Sequence, residues 1–179
     1  MNIAHFGAFL FSFPARLKAM KIGEGAYLGP GYSFIGIDFS TVSIGKKTVI
    51  GAGAFINPIQ SGVIIVENGT NIGRRVTLSA LKKISIGKNC LFGYDVSVLD
   101  HDHNVMDPKK SPVEAGLGKP HEVVIDDECF IGAHSFILKG VRLGKHCVVG
   151  AGSIVTKSFP AYSVIAGNPA RIIKKIKKS

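Results

Sequence analysis

IDDECF IGAHSF ILKGVR LGKHCV VGAGSI VTKSFP, from Ile125 to Pro160, decides the fold. Each block of six opens on an aliphatic residue: Ile125, Ile131, Ile137, Leu143, Val149 and Val155. The fifth place is usually small or thin, as in Cys129, Ser135, Val141, Cys147 and Ser153. A period of six fits neither a helix nor a plain alternating strand. It fits a coiled ribbon in which each hexad makes one short flat strand and one turn. The first residue then points into a narrow core, the fifth points inward where space is limited, and the glycine after the aliphatic residue is expected to serve a corner needing positive φ.

Working outward, the same rhythm runs through IGEGAY LGPGYS (22–33), IGKKTV IGAGAF (44–55) and IGKNCL FGYDVS (86–97). Hexads start at 22, 28, 34; 44, 50, 56; 66, 72, 78; 86, 92, 98; 125, 131, 137; and 143, 149, 155. The step is six within each triple and 10, 10, 8, 27 and 6 between triples. Extra residues therefore enter only after every third hexad, at one corner of a triangular prism. The expectation is an all-β parallel β-helix of about six triangular coils, each stable only against its neighbours. The chain divides into an N-terminal apolar capping segment (1–21), the β-helix (22–160) with an extruded loop at about 104–124, and a basic C-terminal tail (161–179) expected to hold a short helix.

Bulk properties narrow the field. The chain has 179 residues, enough for one domain, and a formal net charge of +10. Five basic residues, Arg171, Lys174, Lys175, Lys177 and Lys178, fall in the last nine positions, so much of that charge is local. No run of eighteen apolar residues suggests a membrane-spanning helix. The apolar run near the N-terminus has no preceding Lys or Arg and no clear cleavage site, so a secretory signal is not expected. Phe6, Phe9 or Leu10, Phe13 and Leu17 approach helical spacing, interrupted by Pro14, and suit an end cap. With Arg16, Lys18 and Lys21 the segment would also suit peripheral contact with a membrane surface. Cys90, Cys129 and Cys147 are an odd number without CxxC spacing, which fits reduced thiols in a cytoplasmic protein. All three hold fifth places and read as small core fillers.

The rhythm fails at VLDHDHNVMDPKK, Val98 to Lys110. Here histidines and aspartates crowd together, and a loop with Pro108, Pro112, Gly116, Gly118 and Pro120 follows. A loop this long in a compact fold is usually functional or disordered. His101 and His103 point the same way in an extended strand, so both would line a site. A histidine suits general base work near neutral pH, and Asp100 or Asp102 would orient it.

The repeat, and above all the run from Ile131 to Lys175 with its GNPAR ending, resembles the hexapeptide-repeat acyltransferases. Within them it looks like the maltose and galactoside O-acetyltransferase branch, which includes polysaccharide and streptogramin acetyltransferases. The resemblance implies a left-handed helix, a homotrimer with sites between subunits, acetyl-CoA as donor and a saccharide hydroxyl as acceptor. It places the catalytic His at His101, with His103 as the competing candidate and Asp100 beside it. It places CoA contacts at Ala133, Ala151, Thr156, Lys157, Arg171 and Lys174, whose cations would meet CoA phosphates. The chain departs from the family at Phe130, where Trp is common, and at Arg75, where the sugar-binding Asn of the maltose and galactoside enzymes falls. The acceptor is thus left open between a surface saccharide, an antibiotic, serine and an amino sugar. A surface saccharide would place the protein at the inner membrane face. No metal is expected. The rival is a metal hydratase like the γ-class carbonic anhydrases, with His101, His103 and His121 as ligands. No two histidines here are five residues apart, as that class requires. Nucleic acid is not expected, since no recognition helix or aromatic-basic interleaving appears.

Overall fold

The computed structural model describes residues 20–34 and 40–177. The expected N-terminal cap therefore lies outside the described residues. Three parallel sheets form the faces of a solenoid. Sheet one stacks β1 (Lys21–Ile22), β4 (Val42–Ile44), β7 (Val63–Val66), β10 (Lys83–Ile86), β13 (Val123–Ile125) and β16 (Arg142–Leu143). Sheet two stacks β2 (Tyr27–Leu28), β5 (Val49–Ile50), β8 (Asn71–Ile72), β11 (Leu91–Phe92), β14 (Phe130–Ile131) and β17 (Val148–Val149), then β19 (Ser163–Gly167) and β20 (Ala170–Lys175). Sheet three stacks β3 (Ser33–Phe34), β6 (Phe55–Pro58), β9 (Thr77–Ala80), β12 (Ser97–Leu99), β15 (Phe136–Ile137) and β18 (Ile154–Val155). Strands β1 to β18 thus make six coils of three strands, as the hexad triples predict.

Register explains the core. Hexad-opening residues pair directly between coils, as in Ile86↔Ile125, Phe92↔Ile131, Val98↔Ile137 and Ile137↔Val155. Each of these side chains is buried. The fifth places carry a second device. Thr48 and Thr70 donate from Oγ1 to the Glu67 and Gly87 carbonyls at 2.9 and 2.7 Å. Cys90, Cys129 and Cys147 continue that column, donating from Sγ to the Asp126, Gly144 and Pro160 carbonyls at 3.3, 3.3 and 3.2 Å. The cysteines are buried fillers as expected, and each also satisfies a carbonyl of the next coil.

Two expectations need correction. The glycine after the aliphatic residue is not there for positive φ. Coils approach so closely that a Cβ on Gly93 would stand 2.5 Å from the Ala133 nitrogen. The left-handed backbone falls on the fourth place instead: Gly31, Gly53, Arg75, Asp95, His134 and Gly152 follow one another down one corner, with φ between 53° and 71°. The second correction concerns the C-terminus, where a short helix was expected. Residues 163–175 form an antiparallel hairpin, with Ala166 opposite Arg171 and Gly167 opposite Ala170. Its turn, Gly167–Asn168–Pro169, contains a cis peptide before Pro169. Proline disfavours helix there, and the open edge of β17 offers hydrogen bonds that β19 takes.

Candidate active site

The loop leaves the solenoid after β12 and returns at β13, at the corner where sheet three turns into sheet one. It doubles back on itself. Asn104 donates from its backbone to the Gly116 carbonyl at 2.9 Å, and Gly118 to the Asp102 carbonyl at 2.7 Å. The His121 amide reaches the Asp100 carbonyl at 2.8 Å, tying the exit to the entry. At the far end a single helical turn, α1 (Pro112–Ala115), is capped by Ser111 and Glu114 in a reciprocal box. Sequence reading left that turn as loop, although S-P-V-E is its signature.

Asp100 is the centre of the corner. Its carboxylate is wholly buried. It accepts from the backbone amides of Leu81, Lys82 and Lys83 at 2.7, 2.7 and 2.6 Å. Its Oδ1 also lies 2.9 Å from Nδ1 of His101, a side chain only 11% exposed. A carboxylate can only accept, so Nδ1 carries a proton, and in the neutral ring it is Nε2 that holds the lone pair. Of the two aspartates left open by the sequence, Asp100 is the one bonded to the ring. Asp102 turns outward and pairs with Lys139 at 2.7 Å.

The two histidines do not share an environment, contrary to the strand-period expectation. His103 is exposed and lines a cleft of about 350 Å³ with Asp102, Asn104, Met106, Leu117 and Lys139. The chain stops behaving as a strand at Leu99, so the period of two no longer applies beyond it. His121 is exposed and contributes through its backbone, its carbonyl accepting from Gly140 at 3.0 Å. Among the described residues no group of three or more His, Cys, Asp or Glu side chains converges as metal ligands would.

The expected CoA contacts divide between places. Ala133 and Ala151 stack at the corner between sheets two and three, with the Gly152 amide donating to the Ala133 carbonyl at 2.8 Å. Thr156 and Lys157 follow β18, in the column of the His101 corner. Lys157 Nζ lies 5.9 Å from the centroid of the Phe159 ring. Arg171 and Lys174 are exposed on β20. Arg171 donates to the Ala170 carbonyl at 3.0 Å. Tyr94 and the two alanines stand at the corner where sheet two turns into sheet three, whereas His101 stands at the corner where sheet three turns into sheet one. Within one chain the alanine column and the His101–Asp100 pair are therefore not together. Tyr94 stands in the third place of its hexad, like Ala133 and Ala151. Sequence reading missed the Leu81–Lys83 amides, which no side-chain pattern announces.

A triangular solenoid of hexads with a histidine–aspartate corner defines a class, and comparison with known proteins agrees. The family model for the hexapeptide repeat of succinyl-transferase matches residues 20–58, 83–98 and 122–157, just over half the chain. The chain belongs to the hexapeptide-repeat family. It is 33% identical over 120 residues to WbbJ of Escherichia coli (strain K12), which bears the name of a lipopolysaccharide biosynthesis O-acetyl transferase; the match covers 64% of this chain and 61% of that protein. It is 40% identical over 92 residues to YvoF of Bacillus subtilis (strain 168), named as an acetyltransferase, covering 51% of this chain and 48% of that one. The chain thus spans between about half and three-fifths of the length of these relatives. Among solved structures, AntD, an N-acyltransferase from Bacillus cereus in complex with dTDP and 3-hydroxybutyryl-CoA, superposes with a TM-score of 0.79 at 20% identity. That match covers 93% of this chain and 88% of AntD. The Vibrio cholerae hexapeptide-repeat acetyltransferase VCA0836, complexed with acetyl coenzyme A, gives 0.61 at 20% identity, covering 94% and 78%.

Proposed function

We propose that this protein is an acetyl-CoA-dependent acetyltransferase that acylates a hydroxyl of a saccharide acceptor, with His101 as general base. The observation that carries the reading is the His101–Asp100 pair: a buried carboxylate fixes the ring by Nδ1 and leaves Nε2 to work. Nε2 takes the hydroxyl proton as the acceptor oxygen attacks the thioester carbonyl carbon. The tetrahedral oxyanion collapses, the C–S bond breaks, and the imidazolium returns the proton to the departing CoA thiolate. No covalent acyl-enzyme is needed. Asp100 keeps the reactive tautomer and steadies the imidazolium between the two proton transfers.

The family, and names such as those of WbbJ and VCA0836, support acetyl-CoA as donor. WbbJ favours a saccharide hydroxyl and a role in surface polysaccharide synthesis, hence cytoplasmic work at the inner membrane face. AntD supports the second reading, an amine on a nucleotide-linked sugar. The split between the alanine corner and His101 supports a homotrimer, in which a neighbour's corner brings the donor to this chain's base. Leu91 and Phe130, paired on the outer face of sheet two and 48% and 41% exposed, suit burial in such an assembly.

The test is calorimetric titration with acetyl-CoA. Saturable binding, weakened in Arg171→Ala, is expected; absence of any response overturns the donor assignment. Turnover on hydroxyl-bearing and amine-bearing saccharides then separates the two acceptors.

A further inference from the structure

Charge divides unevenly along the solenoid. All twelve Asp and Glu residues lie at or before Glu128, where they meet thirteen Lys and Arg, a net of +1. Residues 129–179 hold the other nine basic residues and no acid, a net of +9. Nearly the whole charge of +10 therefore belongs to the last coils and the β19–β20 hairpin. Three of the nine are answered from upstream. Lys139 pairs with Asp102 at 2.7 Å, Arg142 with Asp126 at 2.9 Å and Lys145 with Glu128 at 3.3 Å. Among the described residues, Lys157, Arg171, Lys174, Lys175 and Lys177 pair with no carboxylate, and all five are exposed. Lys157, Arg171 and Lys174 are assigned above to CoA phosphates. Lys175 and Lys177 have no such use, and Lys178 follows them in sequence.

These lysines share β20, the outermost strand of sheet two, with apolar side chains. Ile172 and Ile173 are 43% and 65% exposed. Val164 pairs with Lys174 and Ile165 with Ile172, so Ile173 is the extra residue of a bulge, which re-aims a side chain. Beside it lies a cleft of about 400 Å³ lined by Val164, Ile176, Lys174, Lys175 and Lys177. Lysine stems cover apolar surface while their ammonium heads stay in water. Lysines on an edge strand commonly guard it against pairing with another chain. A guard has no use for two exposed isoleucines beside it. A second copy of this chain would set like charges face to face. Nucleic acid is bound with aromatic rings that stack on bases, and residues 170–177 hold none. Cations interleaved with exposed aliphatic side chains match an anionic bilayer, whose headgroups attract the first and whose acyl boundary takes the second. We propose that the β20 face docks on an anionic lipid surface, its lysines meeting the headgroups and Ile173 entering the apolar boundary. This adds to the proposed work at the membrane face the strand that makes the contact, and it does not rest on the acyl-CoA assignment.

Flotation of the full chain with vesicles tests it. One set is phosphatidylcholine alone; the other is phosphatidylcholine mixed equally with phosphatidylglycerol. Binding to the anionic set alone is expected, falling steeply as salt rises. A basic residue near such a surface is worth about fivefold in partition, so Lys175→Gln with Lys177→Gln lowers it roughly twentyfold to thirtyfold. Ile173→Ser lowers it about tenfold and leaves the salt dependence as it was. Acetyl-CoA affinity, measured by calorimetry, stays unchanged in these variants, and thermal unfolding checks that each is folded. Failure to float with anionic vesicles, equal binding to neutral ones, or full binding by the double lysine variant overturns the docking face and leaves the acetyltransferase reading standing. An unmoved Ile173→Ser, with displacement from the vesicles by polyuridylate, makes β20 a general polyanion surface and overturns the lipid assignment.

Discussion

Asp100 performs three tasks with one carboxylate: it closes the corner of coil three, roots the loop and orients His101. On the proposed mechanism His101→Ala removes the base, so acetyl transfer should fall by about 10² to 10⁴ while acetyl-CoA affinity changes little. A kcat loss without a matching rise in KM is the measurement that checks it. Asp100→Asn should be worse for the fold. Its NH₂ group would face amides that need an acceptor, and a buried unsatisfied amide costs about 1–3 kcal/mol. Lower thermal stability together with lost turnover is expected, and an unchanged melting curve would contradict the buried geometry. Gly93 is the contrasting case. It touches no chemistry, yet Gly93→Ala would drive a methyl into the Ala133 backbone. Overpacking of this kind costs about 1–3 kcal/mol, visible in a denaturant melt. The sequence announced that glycine by position but not by cause: contact between coils is a property of the stack, and one hexad does not display it.

At the scale of elements, the solenoid and the places of its interruptions were legible, and the conformation of those interruptions was not. Alternating burial and a period of six are enforced by every coil, so they recur in the text. The folded-back loop is held by amide-to-carbonyl bonds such as Asn104 to Gly116, which leave no residue signature. The C-terminal hairpin could have been read: Val164, Ile165, Ile172 and Ile173 flank a Gly-Asn-Pro turn, a strand pattern that the basic residues masked. Corner struts join the elements electrostatically. The hydrogen bonds from Arg75 hold the Asp95 carboxyl below the usual carboxylate range, and those from His146 and Lys145 do the same for Glu128. A lowered carboxylate pKa contributes stability above the unfolded value, near 4, and that contribution is lost as pH falls through the folded value. Melting temperature should therefore decline below about pH 4, less steeply in Asp95→Asn, and salt should blunt the difference because these groups are exposed.

For the whole molecule, the proposal makes the working unit larger than the chain. Sedimentation should give a trimer, and Phe130→Asp on the outer face of sheet two should shift it toward monomer with loss of turnover; an unaffected oligomer would point to another face. Sequence alone named His101 and the alanine column but could not show that they occupy different corners, because that follows from closing the prism. The amides of Leu81, Lys82 and Lys83 carry a last consequence. They sit where β9 passes into β10, Leu81 and Lys82 in the bend and Lys83 at the head of the strand, and a connection at the corner would ordinarily trade its protons with solvent within moments. Bound to Asp100, they should resist hydrogen–deuterium exchange like the interior of the stack. Three slow signals at this corner would then act as a spectroscopic gauge of the histidine's anchor, readable in the resting protein before any acceptor is known.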